Sequence, residues 1–179
     1  MSFASCSSLP PSEQWEHDVF LSFRGEDTRK TFVAHLHREL IRDGINTFKD
    51  DKALKRGASS PPLGASISPQ LVSAIKLSRF AIIILSKNYA SSKWCLDELV
   101  KIMECRDELG QTVVPVFYDI SPSEVRFQKN SFAKPFSRYE EDFKNDTEKV
   151  HKWTKALSEA ANLSGHDLHG STYNGSVAI

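Results

Sequence analysis

Cysteine is scarce in this chain: three residues in 179, at positions 6, 95 and 105. An odd, widely spaced set forms neither a disulfide framework nor a zinc pattern. Reduced surroundings, cytoplasmic or nuclear, are therefore expected, and the sequons at Asn145, Asn162 and Asn174 are accidental in that setting. A surplus of charge is also missing. Lys+Arg and Asp+Glu both number 23, for a net charge of +0. That balance argues against binding driven by bulk attraction to nucleic acid or to an anionic membrane. Long apolar runs are absent, and the longest, "FAIIIL" (80–85), is far too short to span a bilayer. With 8 glycines the chain contains no GxxxxGK[ST] phosphate loop, which excludes a P-loop NTPase. No nucleophile elbow or Ser-His-Asp order is present. His35 and His37 lack i,i+4 spacing and a neighbouring Cys cluster, so no metal is expected. Residues 1–14, "MSFASCSSLPPSEQ", lack the charged and apolar regions of a secretory signal. Their composition predicts a disordered leader ahead of one domain over 15–170, with 171–179 as a tail or the start of a linker.

What the chain does have is alternation. Short apolar runs at "DVFLSF" (18–23), "INTF" (45–48), "FAIIIL" and "TVVPVFY" (112–118) read as strands, and the tail after Asn162 offers a short last one. The third is apolar throughout, which fits burial on both faces. Pro115 places the fourth near an edge or a bulge. Helical periodicity separates the strands: Phe32, Leu36, Leu40 and Ile41 before Gly44; "SPQLVSAIKLS" (68–78) with a Ser cap and Pro at the first position; and the run containing Glu98, ending near Gly110. Further helices are expected around 131–143 and 147–163, with "SPSEVR" in a loop before them. Strands alternating with helices at this pace predict βαβ units and a parallel sheet covered on both faces. Ligands of such sheets bind at the rim formed by the carboxyl ends of the strands.

Several residues of chemical interest fall on that rim. In "SSKWCLDELVKIM" (91–103), Cys95, Leu96, Leu99, Ile102 and Met103 share a buried arc at helical spacing. Ser91, Trp94 and Glu98 form a stripe along its border. An acid near a helix N-terminus is favoured by the dipole, so a structural Glu98 and a pocket-facing one both fit. In "SFRGEDTRKTF" (22–32), Arg24 and Gly25 stand at a strand-to-helix turn. A backbone that approaches closely and a guanidinium fork both suit phosphate. The plain alternative is an ordinary turn with Asp27 as its N-cap. The polar loop from Lys49 to about Ser66 carries Arg56, either a second phosphate contact or part of a solvated loop.

Together, "DVFLSFRGEDTRKTFVAHL", "GINTFKDDKALKRG", "SPQLVSAIKLSRFAIIILSKNYASSKWCLDELVKIM", "VVPVFYDISPSEVRFQKNSF" and "NLSGHDL" resemble a plant Toll/interleukin-1 receptor (TIR) domain. This type stands at the N-terminus of intracellular nucleotide-binding, leucine-rich-repeat immune receptors, and it also occurs as a TIR-only protein. The resemblance covers residues 17 to about 170. It implies an α/β flavodoxin-like fold with a five-stranded parallel sheet in the order 2-1-3-4-5. It also implies cleavage of the nicotinamide–ribose bond of NAD+ or NADP+, as substrate and not as cofactor, giving ADP-ribose-type signals in plant immunity. The catalytic glutamate of the family's "WCLxEL" corresponds to Glu98. Trp94 would pack on the nucleotide. Arg24, Gly25 and Arg56 match positions near the phosphates and nicotinamide ribose, and Phe23 would wall the pocket.

The resemblance further implies self-association and contact with other TIR domains. One contact uses the 49–66 loop, and a second uses the first and last helices. In the first helix the family often carries Ser-His, where this chain has Ala34-His35. Downstream signalling proteins would respond to the nucleotide products, and no membrane partner is implied. Two departures stand out. "ASSPPLGAS" separates Gly57 from Ile67 where about two residues are usual, and "KNSF" (129–132) replaces a common Thr-Gly. Lengthening a surface loop costs the fold little. The rival readings are a non-catalytic TIR interaction module and a phosphoacceptor receiver on the same topology. The latter needs an acid where the third strand ends, and that position is Ser86.

Overall fold

A computed structural model describes residues 15–50 and 67–168. Five strands form one sheet: β1 (His17–Phe23), β2 (Thr47–Lys49), β3 (Ser78–Ser86), β4 (Thr112–Tyr118) and β5 (His166–Leu168). Their order is β2-β1-β3-β4-β5, and every pairing is parallel. This is the expected topology.

The pleat divides the strands between two cores. Val19, Leu21 and Phe23 of β1 join Ile84 and Val116 on one face, where Val33 of α2 (Phe32–Arg42) covers them with Leu36 and Leu40. Phe20 joins Ala81, Ile83, Leu85, Val113 and Phe117 on the other. That second face carries α3 (Pro69–Lys76), α4 (Lys93–Leu109), α5 (Pro122–Phe127), α6 (Ala133–Asp142) and α7 (Thr147–Ala160). Successive side chains of a strand point to opposite faces, so an apolar β3 serves both cores. The first long helix, α2, and the last described one, α7, therefore lie on opposite faces and do not form one surface. No described helix is long and apolar enough to cross a membrane.

Local chemistry explains the element ends. Ser68 caps α3 by accepting from Leu71 N–H, with Pro69 next. Ser92 caps α4 by accepting from Cys95 N–H. Gly110 ends that helix at φ 73°, a left-handed conformation that glycine adopts without a Cβ penalty, and its N–H reaches the Cys105 carbonyl. The segment expected as a loop, "SPSEVR", is instead the helix α5. Ser121 and Glu124 close a reciprocal capping box, and Pro122 sits at the first position. The S-x-x-E spacing carried that signal. Beyond it, Asn130 of "KNSF" adopts φ 51°, a region in which Asn is among the better-tolerated non-glycine residues.

Pro115 lies opposite Ile83, while β5 pairs with β4 only from Val116 onward. The proline thus occupies a part of β4 with no ladder on its outer side, as expected of an edge. Gly165 fits closely beside it: a Cβ there would collide with the Pro115 carbonyl oxygen. Backbone cannot yield as a flexible side chain does. Gly165→Ala is expected to displace β5 and destabilise the fold by about 1–3 kcal/mol, read as a lower midpoint in thermal or urea denaturation.

Candidate active site

The carboxyl end of β1 places Phe23 and Ser22 on opposite faces of the sheet. Ser22, fully buried, points to the α4 side, where Glu98 is also buried at 5% exposure. Ser22 Oγ lies 3.1 Å from Glu98 Oε2, within hydrogen-bond distance. Tyr89, in the 3-10 turn Tyr89–Ser91 before α4, stands 3.0 Å from the same Ser22 Oγ. Its hydroxyl donates to the Cys95 carbonyl at 3.1 Å. Trp94, half-buried, packs against this core one turn before Glu98.

Burial pushes the Glu98 carboxyl up to about 8. The Ser22 hydroxyl and the Trp94 indole, which favour the charged form, oppose this, whereas Asp50 and Asp97 add to it. Cys95 is pushed up to about 12, first by burial and then by Glu98. It remains a thiol at neutral pH and is no nucleophile. At neutral pH the buried Glu98 is thus held in its neutral form.

A second set of contacts fixes the rim. Asp27, in α1 (Gly25–Thr28), is not the N-cap; Arg24 holds that position. Asp27 accepts from Ser86 Oγ at 2.6 Å and from Asn88 N–H at 3.1 Å, tying the turn after β1 to the end of β3. Arg24 pairs with Glu26 and lies 3.6 Å from Asp27. Arg29 donates to the Asp50 carbonyl at 3.3 Å and stacks 4.9 Å from the Phe23 ring centroid. Its guanidinium lies over Gly25, where a Cβ would approach it to 2.8 Å. Arg29 thereby joins the turn after β1 to the end of β2.

Of the expected site residues, Arg24, Gly25, Trp94 and Glu98 gather at this end of β1. Phe23 does not line the Glu98 side: its ring belongs to the opposite core, and only its carbonyl, 3.7 Å from Cys95 Sγ, faces α4. Ser91 is not on α4; it is exposed in the preceding turn, and the cap is Ser92. Arg56 lies outside the described residues, as does the 58–64 insertion. Ala34 and His35 are exposed on α2, with His35 Nδ1 2.8 Å from Arg38 Nη2. Ser22, Tyr89, Arg29 and Asp50 were not anticipated. A polar residue inside the apolar "DVFLSF" was the only local signal, and it pointed to Ser22.

The fold and this rim can be compared with known proteins. A family model described as TIR domain matches residues 16–176. The chain belongs to the TIR domain family. It is 55% identical over 159 residues to TMV resistance protein N of Nicotiana glutinosa, covering 89% of this chain and 13% of that protein. It is 51% identical over 172 residues to disease resistance protein RPV1 of Vitis rotundifolia, covering 95% and 12%. The TIR domains of the activated Roq1 resistosome, a structure described as directly recognizing the pathogen effector XopQ, superimpose with a TM-score of 0.77. They share 55% identity, over 90% of this chain and 92% of that one. The chain spans about an eighth of the length of the curated relatives it matches. Its relatives are plant resistance proteins, and it shares the fold of the Roq1 TIR domains.

The folded state of this TIR domain holds the Glu98 proton up to about pH 8, while the unfolded chain releases it near 4.5. The stability contributed by the neutral carboxyl is full below pH 4.5 and is lost progressively as pH rises to 8. Glu98→Gln keeps the neutral shape. It is expected to be more stable than the native chain above pH 8 by a few kcal/mol, on the order of the linkage, with the gap closing near pH 4.5. Denaturation midpoints measured across that range check this.

Proposed function

We propose that this TIR domain is an NAD+ or NADP+ glycohydrolase whose catalytic group is Glu98. One observation carries the reading: a buried carboxyl, one turn after Trp94, set beneath the binding rim of a parallel sheet. Breaking the nicotinamide–ribose bond builds positive oxocarbenium character on the ribose. A carboxylate at the ribose hydroxyls stabilises that charge and orients the sugar. Trp94 offers an aromatic surface to the nucleotide. Arg24 supplies charge for the phosphates once it leaves Glu26, Gly25 lets the backbone approach, and Arg56 is a further phosphate contact. The products are nicotinamide and ADP-ribose-type nucleotides that act on downstream immune signalling proteins in the cytoplasm or nucleus. Self-association, through the 49–66 loop and the helical surface that carries Ala34 and His35, is part of the active form.

A non-catalytic interaction module is the second reading. The observation that favours it is Arg24, which is engaged by Glu26 and Asp27 and so is not poised for a ligand.

The decisive measurement is nicotinamide release from NAD+ at high protein concentration. Native turnover that falls by about 10²-fold or more in Glu98→Ala, with self-association intact, supports the enzyme. Silence in the native chain, in Glu98→Ala and in a variant lacking 58–64, with self-association retained, supports the interaction module. Activity confined to the shortened variant makes the insertion inhibitory. Because the charged carboxyl is the working form, kcat/KM is expected to rise about tenfold per pH unit and to level off above about 8. A flat profile between pH 6 and 8 removes Glu98 as the controlling group.

A further inference from the structure

Three side-chain oxygens form a chain beneath the rim. Glu98 Oε2 is 3.1 Å from Ser22 Oγ, which is 3.0 Å from Tyr89 Oη. The chain ends on the Cys95 carbonyl, 3.1 Å from Tyr89 Oη. Ser22 and Tyr89 are fully buried, and Cys95 and Glu98 are each 5% exposed. Each contact needs one proton. The carbonyl has none to give, so the single Tyr89 hydroxyl proton points to it. The single Ser22 proton then serves one neighbour or the other. With Glu98 charged, Ser22 donates to the carboxylate, and the Ser22–Tyr89 contact brings two oxygens together with no proton between them. With Glu98 protonated, all three contacts fill in one direction: carboxyl to Ser22, Ser22 to Tyr89, Tyr89 to the Cys95 carbonyl. A buried polar contact left without its proton costs free energy.

We propose that Ser22 and Tyr89 are positioning residues for Glu98, a two-hydroxyl relay that is filled when the carboxyl is protonated and reverses at Ser22 when a cationic ligand group favours the carboxylate. The cationic group is the nicotinamidium or the developing ribose cation, so the reversal rests on the glycohydrolase reading. The relay in the ligand-free protein does not. On reversal the carboxyl O–H bond breaks, its electron pair stays on Glu98, and the proton passes to water. The Ser22 hydroxyl turns from Tyr89 to Glu98, while Tyr89 keeps its bond to the Cys95 carbonyl. The other groups bearing on Glu98 are Asp50 at the end of β2 and Asp97 on α4, which oppose its charge, and Trp94 on α4, which supports it. The relay thus holds a neutral acid in a fixed orientation while no ligand cation is present. It offers the carboxylate a ready donor when one arrives.

The test is a titration of side-chain carboxyl carbons by NMR on the ligand-free full chain labelled with 13C-glutamate. The Glu98 signal is the one lost in Glu98→Gln. Tyr89→Phe removes the acceptor that only the protonated form uses, so the Glu98 midpoint is expected to fall by about one pH unit, a tenfold change. Ser22→Ala removes the charge-assisted donor to the carboxylate, so the midpoint is expected to rise by about as much. Opposite signs are not what a packing role gives, since both hydroxyls lie in the same buried environment. An unchanged or raised midpoint in Tyr89→Phe overturns the relay, as does an unchanged or lowered one in Ser22→Ala. Should Tyr89→Phe fail to fold, Ser22→Ala decides alone. Absence of NAD+ cleavage by both the native chain and the variant lacking 58–64 overturns the glycohydrolase reading and leaves the relay to be decided by the two midpoints. Cleavage that depends on Glu98, with both midpoints unmoved, overturns the relay and leaves the catalytic reading standing.

Discussion

The alternation of β1 between two hydrophobic cores is the constraint on which the rest of this TIR domain depends. β1 pairs with β2 on one side and β3 on the other, so neither edge of it meets water. Its odd-numbered residues from Val19 to Phe23 enter the α2 core. Phe20 and Ser22 face α4. Moving the register by one residue would exchange the two sets. Ser22 would then leave Glu98, and the buried carboxyl would lose the hydroxyl that satisfies it. The site is therefore a consequence of sheet register before it is a consequence of any loop.

Around that strand the rim is held by polar ties of long sequence separation. Asp27 reaches Ser86 and Asn88 across the sheet, and Arg29 reaches the Asp50 carbonyl. These contacts bring the turns after β1, β2 and β3 to one place, where a parallel α/β sheet binds its ligands. Net bonds of this kind are worth about 1 kcal/mol each. Their role is to orient the rim, while the two apolar cores supply the stability. Glu98 works against that stability as it ionises, because burial disfavours its charge. A group retained at such a cost fits a functional role better than a packing one.

The relatives place this domain among plant resistance proteins, at 55% identity to the N protein and to the TIR domains of the Roq1 resistosome. α2 presents Ala34 and His35 to solvent on one side of the molecule, and α7 covers the core on the other.

Much of the architecture was legible in the sequence. "FAIIIL" announced a strand buried on both faces because apolar side chains at every position leave no polar face. Ser68–Pro69 and Gly110 marked helix ends because caps and left-handed turns demand particular residue types. Glu98 was legible through its place in "WCLDEL" and its helical border position. Other features were decided only by tertiary structure. Phe23 went to the far core because pleat parity is read against a partner, and periodicity alone does not say which face holds α4. Ser91 fell outside α4, since a neighbouring serine, Ser92, made the cap. Asp27 became a cross-sheet tie and not a cap, because its partners are about 60 residues away. Tyr89 joined Glu98 through no local pattern at all. Local propensity and periodicity determine which segments become strands and helices; long-range packing determines which buried polar groups meet, and so where the chemistry sits.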